Sequence, residues 1–447
     1  MADWLADDPT VIVAGEGPYL IDSAGQRYLD GVSSLWCNLH GHRHPTIDAA
    51  VREQLDKIAH CTFLGLTNEP AVLLAEQLIR RVAQSSTPAG QALSRVFYSD
   101  SGATACEIAA KIAFHYWQLR GQPERTKFVS FSLGYHGDTI GMVSLGGIDL
   151  FHAIYRPLLF PTLHAPPAYC YRCEFADCPM QAVSQPGVAP DSIQPRVELP
   201  CLRAVEQLLD ENKGQVAGVF VEPLVQGAAG VIVSPPGYLA GLREITRKHD
   251  VLLIADEVAV GFGRTGTMFA CPQENVTPDL MCLAKGITGG YLPMAATLVS
   301  EQVFEPFAQP CVTFFHGHTY TANPLAAAAG LASLRVFDEE RVIENLPPKI
   351  ERFRQRLDRL RRFDNVGDIR QRGLFAGVEL VADRASKRGF VHEDRTGREI
   401  CDAARKLGLF IRPLGDVLVF IPPLCITLDQ IDTMFDAAES AMQEVLT

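Results

Sequence analysis

Residues 251–258 read Val-Leu-Leu-Ile-Ala-Asp-Glu-Val, and residues 280–286 read Leu-Met-Cys-Leu-Ala-Lys-Gly. Each is an apolar run of strand length with no polar alternation, the mark of a strand covered on both faces, as in a parallel sheet between layers of helix. Each run stops at a charged residue, Asp256 in one and Lys285 in the other. In open sheets of this kind ligands sit beyond the carboxyl ends of the strands, so both side chains emerge at the edge where chemistry is expected. A carboxylate buried there needs a compensating cation, which a protonated ring nitrogen can supply. A lysine desolvated there has a lowered pKa and can attack an aldehyde, and the glycine after it lets something large approach. Taken alone, the two residues read equally well as a structural ion pair.

The same pattern spreads outward from these runs. Short apolar segments at Val96–Tyr98, Lys127–Phe131, Val216–Val221 and Ala295–Val299 alternate with amphipathic stretches such as Pro236–His249, in which Leu239, Leu242 and Ile245 recur at helical spacing. This predicts an α/β fold with a mostly parallel sheet covered by helices. Pro18–Asp30 reads as a hairpin turning at Ser23–Gly25, the start of a separate small sheet. After Asn323 come an Ala-rich helix (Pro324–Val336), a charged helix near Lys349–Arg361, strands at Leu374–Val381 and Val417–Ile421, and a helix at Glu399–Lys406 between those strands. Ala182–Pro200, rich in Pro, Ser and Gln, is expected as a long surface loop.

Composition narrows the function. The chain has 447 residues, 47% hydrophobic, enough for a large core or two joined ones. A formal net charge of −12 and the lack of a basic block exclude a phosphate-backbone binder, so no nucleic-acid partner is expected. The acidic start MADWLADDPT has no apolar signal region and no run approaches a membrane span, which predicts a cytoplasmic protein. Most of the 12 cysteines stand singly among apolar residues, as small buried hydrophobes do, and no disulfide framework is implied. The exception is Cys170, Cys173 and Cys178 in YCYRCEFADCP. Three thiolates with His164 or a symmetry-related cysteine could hold zinc or an iron–sulfur cluster, but no second CxxC completes such a site, so reduced surface thiols and no metal are expected.

Two further segments follow strands. Asp100-Ser101-Gly102-Ala103-Thr104 opens a helix whose first N–H groups can hold an anion such as phosphate, or simply form an N-cap. Gly134-Tyr135-His136-Gly137-Asp138 carries glycines that let Tyr135 and His136 project over a bound planar ring, or pack a loop.

DSGATACEIAAKIA, YHGDTIG, VEPLVQGAAG, LLIADEVAVGFGRTG, LAKGITGG and HTYTANPLA occur in the order found in the class III aminotransferases, and on these motifs nearly the whole chain resembles that family. The resemblance implies the type I fold of pyridoxal-phosphate-dependent transferases. Its large domain (61–322) carries a mostly parallel seven-stranded sheet, and its small α+β domain is made by both chain ends (1–60 and 323–447). It implies pyridoxal 5'-phosphate as cofactor, Lys285 as the Schiff-base lysine and proton shuttle, and Asp256 as the residue that keeps the pyridine nitrogen protonated. Ser101, Gly102 and Ala103 are implied at the phosphate, and Tyr135 stacked on the ring. His136 and Val258 are implied among the cofactor-binding residues, and Glu222 near Asp256 as part of its supporting shell. It also implies a homodimer in which Thr319 completes the neighbouring subunit's phosphate site.

Gly31–Pro45 (GVSSLWCNLHGHRHP) and Phe410–Ile426 (FIRPLGDVLVFIPPLCI) are similar to the branch of the family that works in biotin biosynthesis. That likeness implies S-adenosylmethionine as amino donor and 8-amino-7-oxononanoate as acceptor. Arg412 is then expected to hold a substrate carboxylate, with Trp36, Tyr135, Gly317 and Lys285 around the substrate. Relatives that take lysine, taurine, a diamine or another ω-amino acid share the cofactor residues, and isomerases or decarboxylases use the same scaffold. The chain departs from the branch in two places. It has Leu35-Trp36 where Trp-Trp is common, and it starts at Met1 just after the point where relatives carry a His-Pro-aromatic-Thr stretch. The second departure predicts an upstream start codon or the loss of an aromatic that helps close the pocket.

Overall fold

The computed structural model describes residues 9–85, 92–179 and 199–447. The start of the chain, on which the upstream-start expectation bears, lies outside them, as does most of the expected loop Ala182–Pro200. Pro200 itself is no loop residue, because it opens the helix Pro200–Glu211, where its missing N–H costs no hydrogen bond. The chain divides into two units, Ala50–Arg335 and the pair Met1–Ala49 with Val336–Thr447. The helices Pro45–Lys57 and Pro324–Glu339 run through the division. Among the described residues no helix is long and apolar enough to cross a membrane.

In chain order the strands are β1 Ile12–Glu16, β2 Tyr19–Asp22, β3 Arg27–Asp30, β4 Leu93–Ser99, β5 Lys127–Phe131, β6 Leu163–Ala165, β7 Val216–Val221, β8 Val225–Gln226 and β9 Ile232–Val233. Then follow β10 Leu252–Asp256, β11 Leu280–Leu283, β12 Ala295–Ser300, β13 Val366–Arg372, β14 Phe375–Leu380, β15 Leu409–Phe410, β16 Arg412–Leu414 and β17 Val417–Phe420.

The unit Ala50–Arg335 is built on a seven-stranded sheet in the order β4-β12-β11-β10-β7-β5-β6. β12 runs against both its neighbours, while the other pairs are parallel. Every residue of β7, β10, β11 and β12 is buried, which is why they read as unbroken apolar runs. One face is covered by the helix Gly102–Leu119. Its small inward residues Ala105, Cys106, Ala109 and Ala113 let it lie close to the sheet, and Trp117 anchors it by donating from Nε1 to the Ala217 carbonyl at 2.8 Å. The expected helix Pro236–His249 forms over Tyr238–Lys248. β6, a three-residue edge strand, is too short to announce itself in sequence.

In the other unit β2 and β3 form the expected hairpin, with Gly25 at φ +82 in its turn, and β15 adds to β3 in parallel. A second sheet runs β13-β14-β17-β16. β13 is hidden in the sequence because its inward positions carry Asp368 and Arg370 rather than apolar side chains. Their burial is tolerated because the Arg370 guanidinium donates to both Asp368 and Glu379.

Candidate active site

β4, β5, β7, β10 and β11 point the same way, and the residues singled out in the larger unit leave their carboxyl ends: Ser101–Ala103 after β4, Tyr135–His136 after β5, Glu222 after β7, Asp256 on β10 and Lys285 after β11. Asp256 and Cys282 are register partners, so Lys285 lies three residues beyond the point level with Asp256. Lys285 is half-buried and has φ +41, a left-handed conformation that a non-glycine residue holds only when its surroundings enforce it.

Asp256 is 5% exposed and surrounded by donors. His136 Nδ1 stands 2.8 Å from Oδ2, the Cys106 thiol donates to Oδ2 at 3.5 Å, and the Val258 N–H donates to Oδ1 at 3.0 Å. An ionised carboxylate only accepts, so Nδ1 carries the proton in the His136 bond. Burial pulls the His136 pKa down, but the bond to Asp256, its charge and that of Glu222 outweigh burial and leave the pKa raised. His136, expected with Tyr135 among the cofactor-binding residues, has its Nδ1 turned to Asp256, as a buried imidazole beside a carboxylate requires.

Glu222 supports the same region. Its Oε1 accepts from the Tyr135 N–H at 3.0 Å and its Oε2 from the Gly227 N–H at 2.8 Å, tying the loop after β5 to the end of β7. Burial, with the Asp256 charge adding and His136 opposing, pushes its carboxyl up to about 7. The Tyr135 hydroxyl donates to Asp138 at 2.8 Å, and burial raises its pKa.

At the head of helix Gly102–Leu119 a capping box uses both polar groups of Ser101. Its N–H donates to Thr104 Oγ1 at 3.1 Å and its hydroxyl accepts from the Thr104 N–H at 3.3 Å. The first intrahelical bond is Ala105 N–H to the Ser101 carbonyl, which leaves the N–H groups of Gly102 and Ala103 as the anion donors of this terminus. Close packing shapes the place: a Cβ on Gly102 would stand 2.6 Å from Val258, and one on Gly137, at φ +122, would stand 2.3 Å from the Ala103 Cβ. The helix terminus, the loop after β5 and the segment after Asp256 therefore meet at van der Waals distance around one spot.

Gly317 and Thr319 line a cavity of about 650 Å³ with His60, Thr62, Phe97 and His316, and His318 between them stands 3.9 Å from Asp100 Oδ1. Trp36 and Arg412 belong to the other unit. Trp36 is half-buried against Phe375, ring centroids 5.5 Å apart, at the end of a left-handed turn: Ser33, Ser34, Leu35 and Trp36 have φ of +51, +55, +103 and +71. Asp30 pins that turn, accepting from the Ser34 N–H at 2.9 Å and its hydroxyl at 2.7 Å. Arg412 is exposed on β16 and, among the described residues, forms no ion pair.

Cys170, Cys173 and Cys178 lie in tight turns in which the Cys173 N–H donates to the Cys170 carbonyl and the Cys178 N–H to the Phe175 carbonyl. Among the described residues the only group of three metal-capable side chains whose ligand atoms lie within 4.8 Å of one another is Cys106, His136 and Asp256. The 2.8 Å between Nδ1 and Oδ2 is a hydrogen-bond length. Two ligands of a tetrahedral zinc would stand roughly 3.3 Å apart, so these contacts are those of a bonded carboxylate. Sequence reasoning missed Cys106 and Asp138, because a cysteine among alanines on a buried helix face carries no signal of its own.

A mostly parallel sheet carries a lysine and an aspartate at its carboxyl edge beside a helix N-terminus, and the chain that builds it belongs to the class III aminotransferase family. The family model, Aminotransferase class-III, matches residues 3–442. An adenosylmethionine-8-amino-7-oxononanoate aminotransferase of Geobacter sulfurreducens is 49% identical, covering 100% of this chain and 94% of that protein. The crystal structure of the enzyme of that name from Methanocaldococcus jannaschii has a TM-score of 0.90 and 40% identity, covering 99% of this chain and 95% of that one. An amine transaminase from an uncultivated Pseudomonas species, solved in its PLP-bound form, has a TM-score of 0.89 and 35% identity over 99% of this chain and 96% of that one.

Proposed function

We propose that this protein transfers an amino group from S-adenosylmethionine to 8-amino-7-oxononanoate, giving 7,8-diaminononanoate for biotin synthesis, with pyridoxal 5'-phosphate as cofactor. The observation that carries the chemistry is the convergence of Asp256, Lys285 and the Gly102–Ala103 N–H groups at one sheet edge. The choice of substrates rests on likeness to the full-length relatives of that name.

The residues fit the cofactor. Gly102 and Ala103 N–H groups would take the phosphate, Asp256 the ring nitrogen, and Lys285 the aldehyde, with Tyr135 against the ring. When bound, the group supplies an electron sink for the bond to the substrate amino carbon. The protein does the rest. Asp256, held by His136 Nδ1–H and the Val258 N–H, presents a fixed negative charge in a buried place where charge acts strongly. Lys285 Nζ would take the proton from the substrate's amino carbon and deliver it to the cofactor's aldehyde carbon, and the acceptor half-reaction would run the same transfer in reverse. Glu222 fixes the backbone of Tyr135. Arg412, exposed and unpaired among the described residues, suits a substrate carboxylate through its planar, bidentate fork.

Two copies of the chain are required in this reading, with Thr319 of each completing the other's phosphate site. The open cavity at Thr319 and the exposed apolar side chains in the same loop and near it, Phe315 at 85% and Leu64 at 90% exposure, support that arrangement.

The test is a half-reaction. Cofactor-loaded protein is mixed separately with S-adenosylmethionine and with lysine, and the visible band of the lysine-linked cofactor is followed. Loss of the band with S-adenosylmethionine alone is expected; loss with lysine alone overturns the donor assignment, and no loss with any amine overturns amino transfer.

A further inference from the structure

Asp256 Oδ2 has two side-chain partners, and one of them, Cys106, plays no part in the reaction as described so far. It sits on the inner face of helix Gly102–Leu119, fully buried, and its sulfur donates to Oδ2 at 3.5 Å, within the thiol range. Cys282, the register partner of Asp256 on β11, donates its own thiol proton to the Ala105 carbonyl at 3.6 Å. Its sulfur is the competing acceptor for the single Cys106 proton, and a neutral sulfur is a weaker acceptor than the charged Oδ2. The contact with Cys282, burial and the Asp256 charge all push the Cys106 pKa well above the usual thiol value, so the thiol keeps its proton and acts as a donor.

Among the described residues the three donors are unevenly shared: Oδ2 receives both side chains, His136 from the loop after β5 and Cys106 from the covering helix, whereas Oδ1 receives the Val258 N–H from two residues along its own chain. A carboxylate rotates readily about its terminal torsion unless its oxygens are engaged. Bonds to one oxygen from two separate elements fix both the direction of the group and which oxygen keeps acceptor capacity.

We propose that Cys106 is a positioning residue for Asp256: with His136 it commits Oδ2 to the protein and leaves Oδ1 to face the cationic nitrogen of the ligand. This rests on the reading of Asp256 as the partner of a ring nitrogen. It assigns a function to a cysteine that otherwise looks like a small core residue.

The experiment compares Cys106→Ala, Cys106→Ser and Cys282→Ala in the full-length protein. The readouts are the dissociation constant of pyridoxal phosphate from the cofactor-free protein, the pH midpoint of the bound cofactor's visible band, and thermal stability. Cys106→Ala removes the donor and is expected to weaken cofactor binding by about three- to tenfold, with a shifted midpoint. Cys106→Ser keeps a donor and is expected within about twofold of the parent, because a hydroxyl replaces the thiol bond. Cys282→Ala opens a cavity of the same size beside it and is expected to lower stability with less effect on midpoint and affinity than Cys106→Ala. The proposal is overturned if Cys106→Ala leaves affinity and midpoint unchanged, or if Cys106→Ala and Cys282→Ala change them alike, which is the signature of packing alone. If Cys106→Ser does not fold, the comparison of the two alanine variants decides. Asp256→Asn separates the two levels of reading. If it leaves the band and its midpoint unaltered, the role of Asp256 itself fails; if it alters them while Cys106→Ala does not, only the role of Cys106 fails.

Discussion

The Val258 side chain occupies the space that a side chain on Gly102 would need, a Cβ built there standing 2.6 Å from Cγ1 of Val258. The same residue donates its N–H to Asp256 Oδ1 at 3.0 Å. Val258 thus joins the helix terminus proposed for the phosphate to the carboxylate proposed for the ring nitrogen, so that a change at one is expected to be felt at the other. Gly102→Ala is expected to weaken pyridoxal phosphate binding by about 10-fold or more, since overpacking a tight place costs about 1–3 kcal/mol. Adding Val258→Ala makes room and is expected to recover most of the loss, as coupled neighbours do. Equilibrium titration of the four proteins of this cycle measures it; simple additivity would refute the contact as the cause.

Lys285 leaves β11 in a strained left-handed conformation at the sheet edge. Lys285→Ala removes the amine proposed to hold the cofactor, so the purified protein is expected to lose its visible absorbance while keeping its far-ultraviolet circular dichroism. Unchanged absorbance would sink the assignment of this residue as the anchor.

Glu222 ties the pH response of stability to the site. Its folded pKa is pushed from 4.5 up to about 7, chiefly by burial, so between these values the folded protein binds the proton that the unfolded chain releases. The stabilisation is full below about pH 4.5 and is lost as pH rises through 7, by roughly 1–3 kcal/mol. Glu257, pushed up to about 7 by burial, adds a slope of the same sign. Denaturant midpoints at pH 5 and pH 8 are expected to fall with pH. Glu222→Gln should lower stability at pH 5, through a lost backbone bond, yet flatten the dependence, and an unaltered slope would speak against it.

Arg412 is exposed on β16, so its replacement should barely touch the fold. Arg412→Lys keeps the charge but loses the bidentate fork, and the KM for the carboxylate-bearing substrate is expected to rise about 10-fold with a thermal midpoint within error of the parent. A KM unchanged by the substitution would remove Arg412 from the substrate site.

Leu35 is 52% exposed and held at φ +103, where a Cβ is costly and its own packing returns little. Leu35→Gly is expected to stabilise the protein by about 1 kcal/mol, the relief of left-handed strain exceeding the added freedom of glycine in the unfolded chain. Thermal unfolding checks the sign, and a lower midpoint would mean that the turn is held by contacts of Leu35 itself.

By itself the sequence determined the class of fold and the edge at which the chemistry lies. Buried parallel strands must be apolar throughout, so Val216–Val221, Leu252–Asp256 and Leu280–Leu283 show themselves as runs, and the charges that end them mark the sheet edge. The tertiary structure alone decided which groups serve those charges. It set His136 and Cys106, the second 150 residues away in sequence, against the carboxylate of Asp256 and committed Ser101 to the helix cap. It also revealed β13, whose buried Asp368 and Arg370 satisfy each other and so leave no apolar pattern to read. For His136 and Cys106 the physical reason is the same. Periodicity records what a residue's own element buries, whereas a hydrogen bond between distant elements depends on where the fold brings two side chains together, and neither partner's sequence neighbourhood contains that information.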